Sequence, residues 1–324
     1  MKNNYDTTTG ILKILTNRYN LSNVSLVETQ AGWSAFAYKV TCGDKNYFLK
    51  VYDKRRYTSQ SWIRGIDDYM PLLLWLEKNT GLRGKIPSTI LTVEGTYRCE
   101  DEDFIYLLFD FIEGETLCKK MLNKTQIYQL VEIIAELHNI DAKSVSPINI
   151  VETFDVSFCD NLHSNLHKSQ AEYPVELTRI LGLYTEPILG KIKKLKELAD
   201  YLRSCNLQFV LCHTDIHGWN VMQASQLMLI DWEGFKLAPP EADLFSFTRN
   251  FFFDYAWEDF MSTYREIRPN YRGNPDAMRF YRLRRRLEDI SAFTENLLYN
   301  NLIDKERELP LKLLEHECSM LSDL

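Results

Sequence analysis

Cys-x-x-Cys pairs are absent: the seven cysteines stand singly at positions 42, 99, 118, 159, 205, 212 and 318. An odd, scattered set of this kind argues against a disulfide framework and against a zinc cluster, and fits reduced thiols. Long apolar runs are missing too, since no stretch reaches the roughly eighteen uninterrupted apolar residues of a membrane span. The opening segment from Met1 to Gly10 is polar and lacks the apolar centre of a signal peptide, so a soluble cytoplasmic protein is expected. Positive charge is in deficit: 38 Lys and Arg face 45 Asp and Glu, a formal net charge of −7. That balance disfavours general nucleic-acid binding and mildly favours attraction of cations, most of it serving solubility. Internal repeats and low-complexity segments are also absent.

What is present is a large potential core, with 45% hydrophobic and 13% aromatic residues in 324. Such a chain suits two medium lobes. A helix near Ile11 to Tyr19 precedes three strand-like runs, Val24 to Gln30, Ala35 to Thr41 and Asn46 to Tyr52, with a turn signal at Gly43-Asp44. Their β-branched and aromatic content predicts an antiparallel meander. A helix from about Thr58 to Lys78 and strands at Ile86 to Val93 and Phe104 to Phe111 complete a small β-rich lobe, residues 1–111. The run Phe109-Asp110-Phe111-Ile112-Glu113-Gly114 passes from a buried strand into polar, glycine-containing chain and is the expected hinge.

Residues 112–324 read as mostly helical. The apolar positions Ile127, Leu130, Val131, Ile134 and Leu137 repeat with helical period behind a potential cap at Thr125. Further helices are expected near Leu177 to Arg203, Glu241 to Asn250, Trp257 to Ile267, Ala277 to Asn300 and Lys305 to Leu321. Two short strands, Gln208 to Cys212 and Leu227 to Asp231, interrupt them. The basic run Arg282, Arg284, Arg285 and Arg286 is followed by Glu288 and Asp289, the signature of a solvated or salt-bridged helix face.

Those two strands carry the most informative motifs: His213-Thr214-Asp215-Ile216-His217-Gly218-Trp219-Asn220, and Ile230-Asp231-Trp232-Glu233. In protein kinases a loop Asp takes the acceptor hydroxyl proton, an Asn five positions later holds magnesium, and a later strand-end Asp holds the metal bridging the phosphates. Asp215, Asn220 and Asp231 stand at those spacings. Asn220 and Asp231 offer hard oxygen ligands of the kind Mg2+ prefers. Any of the three alone would read as a turn or cap residue; the ordered set carries the functional reading. His213 and His217 are expected to hold the loop rather than to react. Glu233, two residues beyond Asp231, would share its strand face and could reach the metal.

Lys50 lies inside the apolar strand Tyr47-Phe48-Leu49-Lys50-Val51-Tyr52, where an ammonium needs an anionic partner. Nucleotide phosphates and an acid on the following helix would serve, with Asp68 the first choice and Asp67 or Glu77 the fallbacks. The loop Gln30-Ala31-Gly32-Trp33-Ser34-Ala35 would cover phosphates through backbone N–H groups and the Ser34 hydroxyl. Hinge backbone groups of Asp110 and Ile112 are placed to pair with an adenine edge.

Together these residues resemble the aminoglycoside phosphotransferase family, whose members have a protein-kinase-like fold. The resemblance runs through Lys50, Phe109 to Gly114, Ala135-Glu136-Leu137-His138, His213 to Asn220, Ile230 to Glu233 and Ala238-Pro239-Pro240-Glu241-Ala242-Asp243-Leu244. The motifs around Asp215 and Asp231 are most similar to the spectinomycin phosphotransferase branch. The resemblance implies a two-lobed α+β kinase-like fold, Asp215 as catalytic aspartate, and Asn220 and Asp231 as Mg2+ ligands. It also implies Lys50 as the α/β-phosphate lysine, ATP or alternatively GTP as donor, and Asp243 as a buried brace. Two departures are a glycine-poor phosphate loop and, on the helix, aspartates where the family has Glu. Thr214 in place of the His-Arg-Asp arginine, Asp-Trp-Glu in place of Asp-Phe-Gly and the lack of Ala-Pro-Glu point away from a protein acceptor.

A cationic antibiotic, an aminoglycoside or aminocyclitol, is the leading acceptor and resistance the corresponding role; choline, a sugar or an amino alcohol is the alternative. Acids and aromatics at Asp254, Tyr255, Trp257, Glu258, Asp259 and Tyr264 would suit a polycation, although at helical spacing such a stripe is commonly core and surface. Asp254, Glu258 and Glu288 are the first candidates. A catalytically silent nucleotide-binding protein is the remaining rival, ranked third because Lys50, Asp215, Asn220 and Asp231 are all retained.

Overall fold

A computed structural model describes residues 4–29, 35–56, 59–118, 120–145, 148–168, 173–300 and 302–323. In chain order the elements are α1 (Asn4–Tyr19), β1 (Ser25–Glu28), β2 (Phe36–Cys42), β3 (Lys45–Asp53), α2 (Gln60–Asn79), β4 (Thr89–Ile90), β5 (Cys99–Glu100), β6 (Phe104–Asp110), β7 (Glu115–Thr116) and α3 (Lys124–Asn139). They continue with α4 (Phe158–His167), α5 (Val175–Ser204), β8 (Val210–Cys212), β9 (Val221–Gln223), β10 (Leu227–Leu229), β11 (Lys236–Ala238), α6 (Glu241–Leu244), α7 (Trp257–Ile267), α8 (Pro275–Tyr299) and α9 (Asp304–Ser319). Among the described residues no helix is long and apolar enough to cross a membrane, and every cysteine is a free thiol.

Contacts divide the chain into two compact units, residues 1–150 with 213–236, and residues 151–212 with 237–324. The first unit therefore combines the expected β-rich lobe with the segment that carries Asp215, Asn220 and Asp231. Its six-stranded sheet runs β1-β2-β3-β6-β4, with β5 also on β6. The β2–β3 hairpin turns at Gly43-Asp44, Cys42 opposing Lys45; Gly43 takes φ +58°, a left-handed conformation that glycine enters without steric cost. Strand alternation gives β3 two different faces. Leu49 and Val51 pack with Ile11 and Leu15 of α1, Val40, Tyr106 and Leu108 in one apolar cluster, so Lys50 and Tyr52 point the other way, toward α2.

A three-stranded sheet, β10-β9-β7, completes this unit beside α3. The α3 cap is Asn123 rather than Thr125: the Asn123 side chain accepts from Gln126 N and Gln126 Oε1 accepts from Asn123 N, both at 3.0 Å. This reciprocal capping box satisfies two otherwise orphaned donors. The strand expected over Ile86 to Val93 shrinks to β4, because only Thr89 and Ile90 find ladder partners on β6.

The second unit is built on α5, α8 and α9 around an apolar cluster that includes Leu177, Ile188, Leu195, Phe280, Leu287 and Leu314. Asn274 caps α8 by accepting from the backbone N–H groups of Asp276 and Ala277, and Pro275 fills the first helical position. The helix expected from Glu241 to Asn250 is only α6 followed by a 3-10 turn at 245–247. The arginine run of α8 is salt-bridged as expected: Arg284 to Glu288 (2.7 Å) and Glu152 (2.9 Å), Arg285 to Asp289 (2.9 Å), and Arg286 to Glu317.

Candidate active site

The geometry of the site follows from one short hairpin. β9 and β10 pair with Val221 opposite Leu229, so the register brings Asn220, just before β9, opposite Ile230, just after β10. Ile230 N donates to Asn220 O at 2.8 Å. Asp231 is thereby carried to the neighbourhood of Asn220, which is how two residues eleven apart in sequence come to serve one site. Asp231 then takes φ +67°, and this left-handed residue ends the strand. Trp232 to Gly234 form a 3-10 turn. The expectation that Glu233 shares a strand face with Asp231 therefore fails, because no strand continues past Leu229.

Asp215 precedes β9 on a loop fixed at several points. The Asn220 amide donates from Nδ2 to Asp215 O at 2.9 Å and Oδ2 at 3.2 Å, which turns Asn220 Oδ1 away from Asp215. His217 Nε2 lies 3.4 Å from Asp215 Oδ1. His213 is fully buried, its ring set edge-on to Trp232 with centroids 4.8 Å apart. Its Nδ1 faces the N–H of Asp215 at 3.3 Å and its Nε2 faces Ile230 O at 2.9 Å. The network assigns a neutral ring with the proton on Nε2. Both histidines thus hold the loop, as their sequence context suggested.

Thr214 is an unanticipated part. It sits at φ +71°, uncommon for a β-branched residue and a form of stored backbone strain. Its hydroxyl donates to Gly234 O at 2.9 Å, tying the Asp215 loop to the turn after Asp231. A Cβ on Gly234 would collide with Thr214 Oγ1, so glycine at 234 is required by close approach rather than by φ.

Lys50 reaches into the same constellation from β3. Its Nζ donates to Asp231 Oδ1 at 2.6 Å and Glu233 Oε1 at 2.7 Å. Burial alone would lower its pKa, but the carboxylates of Asp231 and Glu233 reverse the effect and hold it above the ordinary lysine value. Burial pushes the Glu233 carboxyl up, with Lys50 pulling it partway back. Tyr52 also hydrogen-bonds to Glu233 Oε1, and its phenol is pushed up, first by burial and then by that carboxylate.

The helix acids expected to pair with Lys50 lie elsewhere. Asp68 is exposed on α2. Asp67 accepts from Arg98 at 2.7 and 2.9 Å and from Tyr97 at 2.9 Å, and the Arg98 hydrogen bonds hold its carboxyl below the usual range. Glu77 accepts from Ser88 Oγ at 2.7 Å. Helical phase is the reason: it turns Tyr69, not an acid, toward Lys50.

At the expected hinge, Asp110 N donates to Ser88 O at 2.9 Å, so its N–H is already used. Ile112 is half-buried just beyond β6. Ser34 and the loop from Gln30 through it lie outside the described residues. In the second unit, Glu258 is exposed on α7, and Asp254 is exposed and accepts from Asn250 N at 3.2 Å. Glu288, the third residue expected to meet a cationic acceptor, pairs with Arg284 at 2.7 Å. Asp243 is fully buried in α6.

Glu233, Tyr52, Tyr69 and Thr214 carry roles that sequence reasoning did not assign. Tyr52 was within reach of it, since period two puts it on the Lys50 face; Tyr69 depended on the helix phase.

Comparison with known proteins agrees with this geometry. The spectinomycin phosphotransferase APH(9)-Ia in complex with ADP and spectinomycin superposes with a TM-score of 0.75 at 18% identity, covering 98% of each chain. A microcompartment-associated aminopropanol kinase gives 0.64 at 16% identity over 97% of this chain and 96% of that one. The choline kinase LicA from Streptococcus pneumoniae gives 0.60 at 17% identity over 98% and 100%. At these identities the likeness establishes the two-lobed kinase-like α+β fold. The family model described as the phosphotransferase enzyme family matches residues 25–281, and the chain belongs to that family.

Proposed function

We propose that the protein transfers the γ-phosphoryl group of ATP, or alternatively GTP, to a hydroxyl of a small cationic molecule, with an aminoglycoside or aminocyclitol as leading acceptor. The observation that carries the reading is the convergence of Lys50, Asp215, Asn220 and Asp231, linked by contacts of 2.6 to 3.2 Å through Lys50–Asp231, Ile230–Asn220 and Asn220–Asp215. In this reading residues 1–111 form the nucleotide-binding lobe and 112–324 the catalytic and acceptor-binding lobe.

Asp215 orients the acceptor hydroxyl and takes its proton during or after transfer. Lys50 meets the α/β-phosphates, and the Asp110 carbonyl with Ile112 N–H meets the base edge. The donor set fits magnesium: Asn220 presents Oδ1 because its Nδ2 is committed to Asp215, and Asp231 presents a carboxylate. Mg2+ held there would neutralise charge between the β- and γ-phosphates. Asp254 and Glu258 are the groups proposed to meet a cationic acceptor.

Spectinomycin and ADP in the APH(9)-Ia structure support the antibiotic reading. The aminopropanol and choline kinases, which cover the chain about as fully, support a metabolic amino alcohol as the second reading. ADP release with ATP and Mg2+ across spectinomycin, several aminoglycosides, choline, aminopropanol and simple sugars decides between them, with Asp215→Asn as control. Turnover on an antibiotic that is lost in the variant is the expected result. Turnover confined to a metabolite selects the second reading, and turnover surviving in Asp215→Asn refutes the assigned base.

A further inference from the structure

We infer that Glu233 and Tyr52 form a hydrogen-bonded brace that sets Lys50 for the nucleotide phosphates, in place of an acidic side chain on α2. The inference rests on the phosphotransferase reading above and assigns roles to two residues within it.

In protein kinases the corresponding lysine is braced by a helix glutamate, and the pairing must form for activity. Here α2 supplies no such acid: Asp67 is taken by Arg98, Glu77 by Ser88, and Asp68 is exposed. What α2 places there is Tyr69, 3% exposed. Tyr52 bonds to Glu233 Oε1, and Lys50 bonds to the same oxygen at 2.7 Å. One carboxylate oxygen of the turn therefore holds both the strand phenol and the ammonium. α2 also packs directly on the turn holding Glu233.

The division of labour between the two carboxylates follows from burial. The Glu233 side chain is 5% exposed and that of Asp231 35%. A nearly dry carboxylate depends on its cation and donors, whereas a partly wet one can exchange partners at modest cost. Lysine has three donors. Glu233 keeps one of them from behind, while the others can serve phosphate oxygens and Asp231. With Oε1 shared by Lys50 and Tyr52 and the side chain 5% exposed, Glu233 acts as a positioning residue for Lys50.

Tyr52→Phe and Glu233→Gln test this on the full chain, beside wild type and Asp215→Asn. Calorimetric ATP binding with Mg2+ and labelling of Lys50 by an acyl-phosphate derivative of ATP are the readouts, with thermal melting as the check on folding. Tyr52→Phe keeps the ring and its packing, and is expected to weaken ATP binding about 3- to 10-fold and slow Lys50 labelling. Glu233→Gln should weaken binding further without changing the Mg2+ concentration that gives half-maximal ATP binding. Wild-type ATP affinity and labelling rate in Tyr52→Phe overturn the brace while wild type still binds ATP and Asp215→Asn still blocks turnover. A Glu233→Gln defect relieved by excess Mg2+ makes Glu233 a metal ligand and also overturns it. Failure of wild type to bind ATP overturns the brace together with the phosphotransferase reading.

Discussion

Gly234→Ala is the sharpest test of how the two segments of the candidate site are held together. The added methyl would press on Thr214 Oγ1, while its next neighbours are His213 O at 3.2 Å and Thr214 Cβ at 3.8 Å. The severe conflict is therefore with one hydroxyl, the 3.2 Å approach to the His213 carbonyl being tight but milder. Overpacking of a tight contact costs about 1–3 kcal/mol, and Thr214→Ala, which forfeits the 2.9 Å bond to Gly234 O, costs about 0.5–1.5 kcal/mol. Independent sites would sum to about 1.5–4.5 kcal/mol in the double variant, whereas removal of the hydroxyl leaves only the milder His213 O contact and predicts a loss of about 1–1.5 kcal/mol, below the sum of the two single losses. Urea denaturation of the four proteins measures this. The loop that moves carries Asp215, so kcat on the active acceptor should fall in Gly234→Ala, by about 100-fold if the carboxylate shifts by about 1 Å, and recover substantially in the double variant. Additive stabilities, or a double variant as slow as Gly234→Ala, would refute the argument that Thr214 and Gly234 form one staple.

Lys50→Met leaves buried Glu233 without its cation; breaking such a pair costs about 3–5 kcal/mol, and Lys50→Met/Glu233→Gln should recover most of it in thermal melts. Asn220→Asp sets a second carboxylate against Asp215, and like charge raises proton affinity, so the acid limb of the pH–rate profile should move to higher pH. Burial pushes the Asp289 carboxyl up to about 6, partly countered by Arg285. A folded value above the unfolded one means that the native state binds the proton more tightly, so this group's contribution falls as pH rises from about 4 through 6. Because the side chain keeps 24% of its exposure, Asp289→Asn should flatten the profile there by only about 1 kcal/mol, read from urea midpoints at pH 4.5 and 7.5. Asn123→Ala removes one half of the α3 capping box and should cost about 1 kcal/mol in the same assay.

The sequence by itself determined what depends on local order: the meander with its turn at Gly43-Asp44, the main helices, and the spacing that lets Asp215, Asn220 and Asp231 converge. Their fixed spacing on short apolar strands was visible because a β9–β10 hairpin needs only neighbouring residues to form. Tertiary structure alone decided what depends on phase and approach across the chain. The partner of Lys50 was misplaced because the rotation of α2 about its axis is set by packing, which turned Tyr69 inward and left Asp68 in water. Glu233 was misread because β10 stopped at Leu229 and the left-handed Asp231 led into a 3-10 turn, which cancelled the period-two argument. Side-chain chemistry was written in the chain, but which charge meets which was settled only where burial made an unpaired ion too costly to leave.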